Sequence, residues 1–172
     1  ALLLAGCPST GDGTPDNPPG VPDTLGDERP AAFHVPADHD GTTPLPLVLL
    51  LGGYDYFSAD LDDWIEISGE VDARGFALVM PDGLVDSGGS PFWNATDTCC
   101  DYDDTGVDDV GYLLGLVDEA SAAVPIDAAR IAAVGHSNGG FMGYRLACEA
   151  DTPLTGLVSI AGSGWLDPDD CD

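Results

Sequence analysis

Ile131-Ala132-Ala133-Val134-Gly135-His136-Ser137-Asn138-Gly139-Gly140-Phe141-Met142 joins a short apolar run to a helical pattern through a turn bracketed by glycines. The run reads as a buried strand, and Asn138 to Ala150 as a helix. Gly-x-Ser-x-Gly is weak as a bare pattern, but between a strand and a helix it acquires a mechanical meaning. The turn is so tight that a side chain at either glycine would collide with neighbouring backbone. It would lift the Ser137 hydroxyl off the sheet edge and set it at a helix N-terminus, whose amides favour a developing negative charge. Ser137 is thus the candidate nucleophile, and the Asn138 backbone amide a candidate oxyanion donor. A phosphate-cradling loop is disfavoured because the chain has no lysine to complete one.

The flanking sequence supplies a sheet for this turn. Leu45-Pro46-Leu47-Val48-Leu49-Leu50-Leu51 is a continuous apolar run closed by Gly52-Gly53, the mark of a central strand covered on both faces. Phe76 to Met80, followed by Pro81-Asp82-Gly83, is a second buried strand, and Leu157 to Ala161 a further one. Arg29 to Pro36 reads as an edge strand. Between them, Leu61, Trp64, Ile65, Ile67 and Val71 recur at helical steps from Ser58 to Arg74, with Gly75 as the stop. Val107, Val110, Leu113, Leu114, Val117, Ala120 and Val124 share a second helical face, with Asp108 and Asp109 in its first turn, where the helix dipole favours acids. Strands alternating with helices predict an α/β fold with a mostly parallel sheet wrapped on both faces.

The chain has 172 residues, a size that suits one domain, and a formal net charge of −27 from 31 acidic residues against four arginines. That balance argues against nucleic-acid binding, which needs a basic face, and against strongly anionic substrates. Residues 1–7, Ala1-Leu2-Leu3-Leu4-Ala5-Gly6-Cys7, read as the end of a signal peptide. Leu4 to Cys7 resembles the bacterial lipobox, in which the cysteine is lipidated, so membrane contact is expected only through an anchor on Cys7. A plain secretory signal is the alternative, and either places the domain outside the cytoplasm. Residues 8–27 are rich in Pro, Gly, Thr, Ser and Asp and read as a flexible linker, leaving 28–172 as the folded domain. In an exported chain the remaining Cys99, Cys100, Cys148 and Cys171 are expected to form disulfides. Either Cys99 and Cys100 each reach a distant partner, or Cys148 pairs with Cys171 alone. No metal site is expected. Asp101-Tyr102-Asp103-Asp104-Thr105-Gly106 begins like a calcium loop, but its twelfth position is Tyr112 instead of glutamate, so it reads as a solvated acidic loop.

Leu47 to Tyr54, Gly75 to Gly83, Phe92-Trp93-Asn94-Ala95 with Cys99-Cys100, Val107 to Leu113, and Gly135 to Met142 occur in this order and spacing. Together, over about Glu28 to Cys171, they resemble the secreted α/β-hydrolases of the polyhydroxybutyrate depolymerase and feruloyl esterase group. The resemblance implies a three-layer α/β-hydrolase fold whose C-terminal strands are missing from 28–172. It also implies hydrolysis of carboxylic esters, polymeric or plant-derived, through an acyl-enzyme on Ser137 without a cofactor. Where the group carries His-Gly, this chain has Gly52-Gly53; the second oxyanion donor would be the Tyr54 amide, on a loop whose rigidity the change puts in question. Trp93 and the Tyr54 side chain are candidates to line an apolar acyl pocket, with buried packing of the long loop the alternative for Trp93.

A serine hydroxyl needs a general base, and in this fold the acid and histidine follow the nucleophile. No histidine follows Ser137. His34 and His39 precede it, and the turn points His136 away from the hydroxyl, so none is assigned. The triad acid and histidine are expected beyond Asp172; Asp151, Asp167, Asp169 and Asp170 are acid candidates by position alone. A serine peptidase on the same fold, and a non-catalytic envelope binding protein derived from an esterase, are the alternatives.

Overall fold

A computed structural model describes residues 17–171; Cys7 and the lipobox reading lie outside them. Eight strands and four α-helices follow in chain order: β1 Thr24–Leu25, β2 Ala31–His34, β3 Leu45–Leu51, α1 Ser58–Ile65, α2 Val71–Arg74, β4 Ala77–Met80, β5 Leu84–Val85, β6 Pro91–Phe92, α3 Asp109–Ala123, β7 Ile126–His136, α4 Asn138–Cys148 and β8 Gly156–Ile160. Six strands form the main sheet in the order β1-β2-β4-β3-β7-β8. β4, β3, β7 and β8 are parallel, while β2 runs antiparallel to β4 and β1 antiparallel to β2. The expected α/β class with a mostly parallel sheet is the one observed.

The leucine run explains the layering. Side chains alternate across a strand, so Leu47, Leu49 and Leu51 pack with Leu113, Leu116 and Val117 of α3 and Met142 and Leu146 of α4. Leu50, one residue out of phase, packs with Leu61 of α1, Val71, Leu78 and Met80 on the other face. A strand apolar at every position is therefore one with a helix layer on each side.

Three expectations are corrected. The stretch read as a linker up to residue 27 enters the fold. Leu25 is buried, Thr24–Leu25 pairs with Ala31–Ala32, and the Asn17 side chain donates to the Phe33 carbonyl (2.8 Å) and accepts from the Val35 amide (2.8 Å). β2 is thus flanked on both sides and is not the sheet edge. The helix read over Ser58 to Arg74 breaks after Ile65. Glu66 takes φ 57°, and Asp62 accepts from the Ser68 amide (2.8 Å) and hydroxyl (2.5 Å), side-chain bonds that compete with continued helix. Trp64, in the last turn of α1, is 59% exposed. Gly75, at φ 68°, closes α2 as expected. Finally, of the two cysteine readings the Cys148–Cys171 pair is the one formed, with Cα atoms 5.0 Å apart, and among the described residues Cys99 and Cys100 reach no distant partner. Cys148 ends α4 beside the turn carrying Cys171.

Arg29 ties the sheet's antiparallel side to α3. Its Nη1 donates to the buried Asp109 carboxylate (2.7 Å), its Nε and Nη2 to the Asp82 carbonyl (2.9 and 2.7 Å), and its guanidinium lies 4.0 Å from the Tyr112 ring centroid. The Tyr112 hydroxyl donates to the Arg29 carbonyl (2.9 Å). Burial pushes the Tyr112 phenol up to about 12. An unfolded tyrosine ionises near ~10, so the folded state holds a proton that the unfolded state has lost. The stabilisation this gives is fully present below that lower value and disappears as pH rises through the upper one. Urea unfolding across that window is expected to show wild-type stability falling more steeply with pH than Tyr112→Phe; parallel slopes would contradict this.

Candidate active site

Ser137 stands between the end of β7 and the first residue of α4 with φ 49° and ψ −119°, a conformation that L-residues reach only when their surroundings impose it. Its amide donates to the Ile160 carbonyl on β8 (2.7 Å), and its carbonyl accepts from the Phe141 amide (3.0 Å) in the first turn of α4. The flanking glycines are sterically required. A Cβ on Gly135 would overlap the Gly139 backbone, and one on Gly139 would overlap the carbonyl oxygens of Leu51 and Gly52. The second of these contacts presses the first turn of α4 directly onto the end of β3.

The loop after β3 runs across the elbow. A Cβ on Gly53 would fall 3.2 Å from the His136 carbonyl oxygen and 3.3 Å from Ser137 Cβ, so the peptides leading to Tyr54 pass beside the nucleophile. The concern over this loop's rigidity is answered at Gly52, whose carbonyl accepts from the Trp93 indole N–H (2.9 Å). Asn138 is also more than an amide donor. Its fully buried side chain accepts from the Trp93 amide (2.7 Å) and donates to the Trp93 carbonyl (3.1 Å).

Trp93 is corrected as a pocket residue and takes the alternative, buried reading: at 1% exposure it has no surface to offer a ligand. The Tyr54 side chain is half-buried and engaged elsewhere. Its hydroxyl donates to Asp86 (2.6 Å), which raises the phenol's pKa, and its ring meets Tyr102 edge-on at 5.2 Å. The aromatic groups beside the elbow are different ones. Trp64 and Tyr56 lie 5.5 and 6.3 Å from the His136 ring, and with Phe57 they are exposed. Sequence periodicity placed Trp64 on the inner face of α1 and so missed them.

None of the histidines is set to deprotonate Ser137. His34 pairs with Leu78 on β4, and burial lowers its pKa; β2 is separated from β7 by β4 and β3, roughly 14 Å across the sheet at about 4.8 Å per strand. His39 closes its own turn, Nδ1 accepting from the Gly41 amide (2.9 Å), which leaves Nε2–H to donate to the Thr43 carbonyl (3.1 Å). The His136 ring faces Trp64 and Tyr56, with Nδ1 buried and unpartnered. Among the described residues no cluster of three metal-binding side chains occurs, and no helix is long and apolar enough to cross a membrane.

A parallel sheet covered on both faces, with a strained serine at the strand-to-helix turn, is the α/β-hydrolase fold, and this chain has it. No protein-family model matches the chain. It is 30% identical over 117 residues to the putative esterase NocK of Nocardia uniformis subsp. tsuyamanensis, a match covering 68% of this chain and 33% of NocK. Among solved structures it is similar to a Bacillus cereus carboxylesterase (TM-score 0.54, 26% identity, 76% of this chain and 60% of that one). It is also similar to FphF, a fluorophosphonate-binding serine hydrolase of Staphylococcus aureus (TM-score 0.58, 20% identity, 78% of this chain and 51% of that one). The chain is thus esterase-like in sequence and fold, and spans about a third of the curated relative it matches.

Proposed function

We propose that this chain carries the nucleophile of a serine carboxylic ester hydrolase, acting on polyhydroxyalkanoate- or feruloyl-type esters. The observation that carries the reading is the backbone of Ser137, held at φ 49° between β7 and α4 by glycines that no other residue could replace. In the reaction, Ser137 Oγ attacks the ester carbonyl carbon while its proton passes to a general base. The carbonyl oxygen becomes an oxyanion facing the Asn138 and Tyr54 amides. The C–O bond to the alcohol then breaks, and the alcohol leaves with that proton. Water repeats the sequence on the acyl-enzyme, releasing the acid and restoring the serine. The base is proposed to be a histidine of the full-length protein outside this chain. Export, with Cys7 as a lipidated anchor, belongs to the same proposal.

Hydrolysis of p-nitrophenyl acetate set against a chromogenic peptide amide tests the reading in the full-length protein. Ester turnover with little amide turnover supports it. The reverse favours a peptidase, and neither activity favours a binding protein.

The exposed Tyr56, Phe57 and Trp64 beside the elbow, on a chain of net charge −27, fit a neutral, apolar ester. Each buried CH₂ contributes about 0.8 kcal/mol, roughly fourfold in rate or affinity. Lengthening the acyl group from acetate to hexanoate is therefore expected to raise kcat/KM, and Trp64→Ala to shrink that gain by about an order of magnitude. An unchanged chain-length profile would remove Trp64 from the substrate path.

A further inference from the structure

We infer that Trp93 is a positioning residue which sets the spacing between the two oxyanion donors; this rests on the esterase reading above. Three contacts from this one buried residue reach both halves of the proposed oxyanion hole. Its indole N–H holds the Gly52 carbonyl, at the root of the loop that carries the Tyr54 amide. Its backbone amide and carbonyl are both held by the side chain of Asn138, whose own amide is the other donor. β3 and α4 also meet through the close approach of Gly139 to the Leu51 and Gly52 carbonyl oxygens and through Leu51 in the core with Met142. The pairing of β3 with β7 ends at Leu51 opposite Gly135, so Gly52 and the loop beyond it lie past the ladder, and Trp93 ties them down there.

The bonds are enforced by burial. Trp93 is 1% and Asn138 0% exposed, and the Gly52 backbone is buried too, so a broken bond here strands a polar group away from water. Arg29 covers the indole from the other side at 5.2 Å. The latch therefore has a single low-energy arrangement, which is what catalysis asks of an oxyanion site. Its donors must already stand where charge will develop, because reorganisation during the reaction cancels their advantage. At its root the loop is Gly52-Gly53, with no side chain to brace it there, and its first side chain, Tyr54, is tied to Asp86 instead of to α4.

Trp93→Phe keeps an aromatic ring and removes the indole donor. In the full-length enzyme it is expected to lower kcat for p-nitrophenyl acetate at least tenfold with KM within twofold of wild type. Binding of a phosphonate transition-state analogue is expected to weaken in proportion to the loss in kcat. Asn138→Leu, which retains the backbone amide but releases Trp93 from the other side, should give the same split and covers the case in which Trp93→Phe does not fold. Leu113→Ala, in the core under α3, serves as a comparison for general destabilisation and should leave kcat unchanged. The inference is overturned if both latch variants keep wild-type kcat, or if Leu113→Ala lowers kcat as much as they do. Failure of the esterase reading would look different, because Ser137→Ala would then hydrolyse the ester as fast as wild type.

Discussion

Ser137→Ala in the full-length protein is expected to reduce kcat for p-nitrophenyl acetate by about 10⁴- to 10⁶-fold, the range over which removing a nucleophile collapses serine-hydrolase catalysis to what binding and the oxyanion hole provide alone. The substitution removes one oxygen and leaves the elbow intact. The turn is held through the main chain of residue 137, by its amide to Ile160 and its carbonyl from Phe141, and an alanine makes both bonds equally well. The melting temperature should accordingly stay near that of wild type, so that the loss cannot be assigned to unfolding. A fluorophosphonate probe should label the wild type at Ser137 and leave the variant unlabelled. Retained turnover in a well-folded Ser137→Ala protein would remove the serine from the chemistry altogether.

Arg29→Ala is expected to be the most damaging single change to the fold, at about 3–5 kcal/mol, because it leaves a buried carboxylate without its cation. Asp109 is 1% exposed and would retain only the Asn94 amide (2.7 Å) from the present pair of charge-stabilising contacts. The Asp82 carbonyl loses two donors in the same step, and the Tyr112 and Trp93 rings lose the guanidinium stacked on them. For a domain of this size such a loss lowers the melting temperature by roughly 6–20 °C. Burial already pushes the Asp109 pKa up despite Arg29, and removing the cation pushes it further. A carboxyl group with a raised folded pKa favours the fold below its unfolded value, and that contribution disappears as pH climbs through the folded value. The penalty measured by urea unfolding should thus be smaller near pH 4 than at pH 7. Arg29→Met combined with Asp109→Leu should recover part of the loss, since an apolar pair leaves no charge stranded. Equal penalties at the two pH values would mean that Asp109 is not the group left uncompensated.

How much of this was legible in sequence depended on how far apart the cooperating residues lie. The elbow is a local object: strand, glycines and helix start are contiguous, and the same residues that form it reveal it. β3 was equally readable, because burial on two faces writes itself as an unbroken apolar run. A helical period does not announce its own end: the break at Glu66 depends on Asp62 choosing Ser68 as a partner. Trp64, three residues after the buried Leu61 on the same helix, fits the apolar period and is exposed all the same. Asp109 read as a helix-dipole charge, whereas its main partner is Arg29, 80 residues away.

Fold class, the strand-turn-helix elbow at Ser137 and the glycines around it were determined by the sequence alone, since short-range sterics and periodicity suffice for them. Tertiary structure decided the pairing of Cys148 with Cys171, the entry of Thr24–Leu25 into the sheet, and the role of Trp93 as a buried tie between the end of β3 and α4. Each of these is a choice of partner that no local pattern encodes, made by which groups remain to be satisfied once the layers have closed.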